Sequence, residues 1–174
     1  VVDLWAVRLQ ERLNDFFPEL PHNSWKKPVF MPIISVVNPY KYKNKSLLFY
    51  LSDSLSFLWK FDLFLFVEQI LVLFGLKKDP YDNFQELQKT FSKYKINPQY
   101  FFLFAKNSYF DRGLSIYKAG YRQLIKNITD YNNVSLLASY AAQNDTSILV
   151  NEIKNLKKLI NRPISSVRFN YGLL

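Results

Sequence analysis

Residues 100–105 read Tyr-Phe-Phe-Leu-Phe-Ala, apolar at every position. A strand with one solvated face would place polar residues at alternate positions; this run places none, so it predicts a strand covered on both faces. Such strands sit at the centre of parallel sheets, where each crossover needs a dozen or more residues, usually a helix. The flanking sequence fits. Asn97-Pro98 is a turn. Tyr109–Ala119 is a short amphipathic piece, and Asn107, Ser108 and Asp111 offer polar starts for a helix that Gly120 would end. Tyr121–Ile128 follows; Leu124, Ile125 and Ile128 fit either a helical or a strand period, and its place after Gly120 and before a polar turn favours a strand. Asp130–Asn133 would then be a loop at its carboxyl end, where open α/β sheets project binding groups. Leu136–Ala142 has no clear pattern. Gln143–Ser147 opens a clear amphipathic helix, Ile148–Ile160, with Leu149, Ile153, Leu156 and Ile160 on its apolar stripe. The fold expected is α/β: a short, mostly parallel sheet with helices on both faces, a Rossmann-like three-layer arrangement.

The rest of the chain reads as a platform for that stretch. Val2–Phe17 predicts a helix stopped by Pro18 and Pro21. Residues 22–39 are extended and punctuated by prolines, with a short strand within Phe30–Val37. Ser46–Leu51 predicts a short buried strand, and Ser52 or Ser54 a cap for an apolar helix over Leu55–Leu73. Residues 71–74 alternatively form a strand of their own. Phe84–Tyr94 predicts a further helix. The resulting division is an N-terminal helix and arm over 1–45, an α/β domain over 46–160 and a basic tail over 161–174.

Phe57–Leu76 has the length of a membrane span. It also contains Lys60, Asp62 and Glu68, and each ionised group at a bilayer centre costs about 2.5–3.5 kcal/mol. Burial between the sheet and a neighbouring protein is therefore the preferred expectation for this segment. The alternative is an accessory subunit of a mitochondrial inner-membrane complex, with residues 55–76 embedded.

Chemistry is sparsely provided for. There is no Cys, so disulfides, zinc knuckles and thiol catalysis are excluded, and the one His, His22, has no acid neighbour or thiol partner to build a metal site. Four glycines, none clustered, leave no phosphate-cradling loop and no dinucleotide fingerprint. Neither catalysis, a cofactor nor a small-molecule substrate is expected. Asp130, Asn132, Asn144, Asp145 and Ser147 are assigned to turns and caps.

Binding is what remains. Lys and Arg total 23 against 14 Asp and Glu, a net charge of +9 that favours a polyanionic partner. The cations fall into patches: Lys41, Lys43 and Lys45; Arg112 and Lys118 with Arg122 and Lys126; Lys154, Lys157 and Lys158; Arg162 and Arg168. Lysines alternate with tyrosines in Tyr40-Lys41-Tyr42-Lys43, which suits phosphate contact on one side and stacking on the other. Several patches around an α/β body suit recognition of folded RNA through its shape and phosphates. The excess of Phe, Tyr, Asn and Lys fits the AT-rich coding of an organellar or parasite genome.

The order of motifs resembles the ribosomal small-subunit protein two family, in its bacterial and organellar form. His22, Trp25, Pro28 and Met31-Pro32-Ile33-Ile34 are similar to that family's early histidine, tryptophan, proline and Met-x-Pro run. Leu48–Leu51 with Ser52-Asp53-Ser54-Leu55 occupies the place of its strand and Asp-Leu-x-Lys-Thr step, and Asp82-Asn83-Phe84 that of Thr-Asn-Phe. Pro98, Phe101–Ala105, Leu114–Ala119, Leu124–Ile128, Asp130-Tyr131-Asn132 and Asn144-Asp145-Thr146-Ser147 follow in the family's order. The likeness spans about residues 20–160. Most of the family's glycines and its long protruding helical hairpin are missing, and the segment from Gly75 to Asp82 is short, as in a reduced organellar version or one part of a split protein. The resemblance implies a non-catalytic constituent of a small ribosomal subunit in the mitochondrial matrix. Its partners would be ribosomal RNA and neighbouring small-subunit proteins.

Overall fold

The computed structural model describes residues 2–18, 30–59 and 62–170. It divides into two units, Val1–Phe30 and Met31–Leu174. In the first, helix α1 spans Val2–Phe16, the segment expected from its apolar spacing. The expected motif around His22, Trp25 and Pro28 lies outside the described residues.

The second unit holds a four-stranded, wholly parallel sheet: β1 (Ile33–Val36), β2 (Gln99–Leu103), β3 (Asn133–Ala138) and β4 (Val167–Phe169). The α/β class and the parallel sheet flanked by helices are those expected from sequence. Strand β2 is buried at every position: Tyr100–Leu103 belong to the apolar run that requires it, and Gln99 is a buried polar residue. Its partners are in register, with Phe102 beside Val36 on one side and Leu136 on the other.

The strand order is β1-β2-β3-β4, without reversal. Right-handed crossovers in such a sheet all fall on the same face. The main core agrees with this. Tyr100, Phe102 and Phe104 pack with Val134, Leu136 and Ala138, with Tyr121 and Ile125 of α5 (Ala119–Thr129), and with Leu156 and Ile160 of α7 (Thr146–Ile160). Phe84, which opens α4 (Phe84–Lys93), joins the same cluster. The opposite face carries a smaller cluster of Phe101, Leu103, Ala105 and Leu137. On that face Gln99 Nε2 donates to Ser135 Oγ at 2.8 Å, which pairs with Ser166 Oγ at 3.0 Å.

Several local expectations are corrected. Ser46–Leu51 is not a strand but the start of α2 (Leu47–Trp59); Ser46 Oγ accepts from the N–H of Phe49 and caps it. Ser52 and Ser54 therefore lie inside the helix. The expected single helix over Leu55–Leu73 is two, because Asp62 caps a new start for α3 (Leu63–Leu73), its Oδ1 accepting from Leu65 N at 3.2 Å. Residues 71–73 complete that helix, and Gly75 leaves it with φ 75°, a conformation only glycine adopts without strain. Tyr109–Ala119 is irregular up to its last residue, whereas Tyr121–Ile128, expected as a strand, belongs to α5. Its apolar residues at 121, 124, 125 and 128 have helical spacing, and Gly120 enters this helix instead of ending one. Asp130 and Asn132 consequently precede β3, at the amino end of the sheet, and not the carboxyl end. The unassigned stretch 136–142 is the end of β3 and the start of α6 (Tyr140–Asn144). The arm and the tail both supply strands, β1 and β4, so the sheet extends beyond the 46–160 expected for it.

Phe102 is fully buried between both neighbouring strands, while Leu55 on α2 is 67% exposed. Phe102→Ala is expected to lower unfolding free energy by about 3–5 kcal/mol. Leu55→Ala should change it by less than about 0.5 kcal/mol. Urea unfolding of the two variants checks this.

Candidate functional site

The loop that leaves β1 is shaped by one carboxylate. Asp79, 1% exposed, accepts from the backbone N–H of Lys41 (2.8 Å), Tyr42 (2.8 Å), Lys43 (3.0 Å) and Tyr81 (3.0 Å). Burial opposes ionisation of Asp79, and these four backbone donors outweigh it, holding its carboxyl below the usual value. The same loop is tied to α3 through Glu68. Its Oε1 accepts from Lys77 Nζ at 2.6 Å, and its Oε2 from Lys41 Nζ at 3.2 Å and the Tyr42 hydroxyl at 3.1 Å. The Lys77 ammonium first, then Lys41 and Tyr42 against the cost of burial, bring the Glu68 carboxyl down to about 2. Tyr40 and Tyr42 turn inward. Lys41, expected to face a polyanion, is therefore partnered within the protein, and the tyrosines of this loop are core residues.

Lys45 is different. It lies at the end of the loop, its Nζ 3.8 Å from the centroid of the Phe49 ring, and partial burial lowers its pKa. It lines a cleft of about 480 Å³ together with Arg112, Lys118, Asn38, Asn44, Ser46, Asn107 and Ser115. The walls are the connections leaving β1 and β2 at their carboxyl ends, joined where Asn38 Nδ2 donates to the Arg112 carbonyl at 3.0 Å. Two helices start at this cleft, α2 after Ser46 and α5 after Lys118. Lys118 offers α5 no side-chain cap, and the partial positive charge of a helix start adds to that of the cations. Close packing is needed here. A Cβ on Gly120 would come within 2.4–2.7 Å of the Asn44 side chain, and one on Gly113 within 3.1 Å of Leu103. The arrangement can hold a phosphate group between three cations; among the residues lining it there is no carboxylate.

The other sequence-predicted cations do not join this cleft. Lys43 is held by its backbone to Asp79. Arg122 reaches the Ile116 carbonyl at 3.4 Å, and Lys126 is exposed further along α5. Lys154, Lys157 and Lys158 form an exposed row on α7. Arg162 Nη1 donates to the Thr129 carbonyl at 2.5 Å, where it complements the negative end of α5. Arg168 is exposed on β4, beside Leu137. Of the assigned turn residues, Asp145 caps α7 by accepting from Ser147 N at 2.7 Å, and Asn144 ends α6. Asn132 Nδ2 donates to Gln88 at 2.7 Å, and Asp130 is the C-cap of α5.

Sequence reasoning missed the carboxylates that organise these loops. Asp79, next to Pro80, carried no signal of its own in the sequence. Glu68 and Glu152 carried a usable signal: each occupies a buried helical position, Glu68 a turn from Val72 and Glu152 a turn from Leu156. A charge at such a position has to be partnered.

No protein-family model matches the chain, and no curated protein and no solved structure matches it.

Asp79→Ala removes the acceptor of these backbone donors and is expected to cost about 3 kcal/mol. Calorimetric unfolding measures the loss. Glu68 gives a pH signature. Its folded pKa is depressed from 4.5 to about 2, so its contribution is complete above pH 4.5 and fades as pH falls towards 2. Glu68→Gln should be less stable than the parent at neutral pH and lose less stability across that window. Equal acid sensitivity of the two proteins would contradict the assignment.

Proposed function

We propose that this chain is a structural, RNA-binding constituent of a small ribosomal subunit in the mitochondrial matrix. The observation that carries the RNA reading is the convergence of Lys45, Arg112 and Lys118 with two helix starts at the carboxyl ends of β1 and β2. Phosphate neutralisation by such groups supplies affinity without base readout. Lys126 and the lysine row of α7 are further exposed cations, outside this cleft. The ribosomal assignment rests on the order of the sequence motifs; of these, Ile33-Ile34 falls in β1, Phe101–Leu103 in β2 and Thr146-Ser147 at the start of α7, while Leu48–Leu51 and Leu124–Ile128, matched to strands of that family, lie in helices α2 and α5. It gives the chain a binding role and no reaction step.

A role beside protein neighbours is supported by α2 and α3. Leu51, Leu55 and Trp59 on α2, and Leu63, Phe64 and Val67 on α3, are at least half exposed. An apolar surface of this kind marks an interaction site more often than a solvated face. It would equally serve the membrane-subunit alternative. Against that alternative, the segment is divided at Asp62, and among the described residues no helix is long and apolar enough to cross a membrane.

Co-sedimentation with small ribosomal subunits in magnesium tests the assignment, and retention in the membrane pellet after high-pH carbonate extraction counts against it. For RNA itself, replacing Lys45, Arg112 and Lys118 together with Ala should lower the slope of log affinity against log salt by about two to three. Filter binding to ribosomal RNA over a salt series reads this slope, and an unchanged slope removes the cleft from the interface.

A further inference from the structure

A second cleft, of about 350 Å³, opens at the same end of the sheet, between the connections leaving β2 and β3. Its character is opposite to that of the basic cleft. Asp111 and Glu152 line it, and both are buried, at 1% and 6% exposure. Consecutive residues at the end of β3 bring them together. Ser139 donates from Oγ to Glu152 Oε1 at 2.6 Å and from its N–H to Oε2 at 3.2 Å, while Tyr140 N donates to Asp111 Oδ2 at 2.9 Å. Ser108 Oγ donates to the same Oδ2 at 3.1 Å. Asp111 Oδ1 is left buried without a hydrogen-bond partner.

That oxygen is the observation that points to a ligand. A buried carboxylate oxygen is ordinarily satisfied by a donor or a cation, and none of the neighbouring side chains supplies one. Glu152 stands beside it with both carboxylate oxygens accepting from Ser139. Lys106 is the one cation lining the cleft, and it is exposed. The remaining polar lining includes Asn151 and Asn155, whose amide oxygens are hard donors like the carboxylates.

We infer that this cleft is a divalent-cation site, with Asp111 Oδ1 and Glu152 as its anionic ligands and magnesium as the ion it suits. Among the described residues no group of three or more His, Cys, Asp or Glu side chains is placed to hold a metal. The set is therefore two carboxylates completed by amide oxygens and water. Magnesium is held in that way, through one or two carboxylates while keeping several waters, whereas calcium takes a fuller oxygen cage.

Manganese provides the probe, on the full chain without RNA. Water-proton relaxation should show one saturable manganese ion that magnesium displaces. Paramagnetic broadening of amide signals should centre on Ser108, Asp111, Ser139 and Tyr140. Asp111→Asn and Glu152→Gln should each weaken binding about 10-fold or more. Manganese binding at parental strength in a folded Asp111→Asn protein overturns the inference. So does the absence of saturable binding, or broadening centred on exposed carboxylates such as Glu86 or Asp145. If Asp111→Asn does not fold, the broadening map of the parent protein decides alone. The assay contains no RNA, so its failure leaves the RNA-binding proposal standing.

Discussion

The Asp79 carboxylate gathers the backbone N–H groups of Lys41, Tyr42 and Lys43 into one acceptor site. Charge-assisted hydrogen bonds of this kind are about twice as strong as neutral ones, and here they hold a loop instead of a helix end. Once the loop is fixed, Tyr42 is directed into the interior, where its hydroxyl donates to Glu68. Asn44, with φ 60°, is placed against Gly120 at the start of α5. Lys45 and Ser46 then arrive beside Lys118 and Arg112. The basic cleft is thus a consequence of an acidic residue distant in sequence. Removing that acid would disorganise cations it never touches.

Glu68 imposes a second constraint, on the orientation of α3. The residues this helix buries are Glu68, Gln69 and Val72, while Leu63, Phe64, Val67, Ile70 and Leu73 face outward. By hydrophobicity alone the helix would be turned the other way. The inward orientation is supported by partners for most of its polar groups, Lys77, Lys41 and Tyr42 for Glu68 and Ser54 for Gln69 Oε1 at 3.1 Å, while Gln69 Nε2 is buried without one. The cost is an apolar face left in water, a cost removed if another macromolecule covers it. This inverted helix is the observation that most supports the proposed role beside protein neighbours.

How legible this was in the sequence differed by element. The central strand was legible, because six consecutive apolar residues admit few other roles. The long helix over 146–160 was too, from its stripe and its Asp145 cap. Residues 109–128 were misassigned because Gly120 carries two possible meanings. It can end a helix by φ freedom or permit a close approach, and only the neighbouring Asn44 decides between them. Residues 46–51 were misassigned because Leu-Leu-Phe-Tyr-Leu suits a strand locally, and a single Ser46 cap turns it into a helix. Of the candidate site, the types of residue were legible and their grouping was not. Lys41 and Lys45 belong to one sequence patch, yet one is neutralised by Glu68 and the other reaches the cleft. Partners 27 and 38 positions away in the chain, Glu68 and Asp79, settle that difference.

The sequential strand order bears on where function can reside. A doubly wound sheet opens a crevice where its strand order reverses. This sheet has no reversal, so its clefts arise between successive connections at the carboxyl ends of the strands. The connection leaving β2 is common to both: Asn107 lines the two clefts, Arg112 faces the β1 side and Asp111, its immediate neighbour, the β3 side. An irregular backbone over residues 106–118 carries both walls. The segment expected to be a helix is an open loop at the place where two opposite charges have to be parted. Its tethers are the Asn38 bond to the Arg112 carbonyl on one side and the Tyr140 bond to Asp111 on the other.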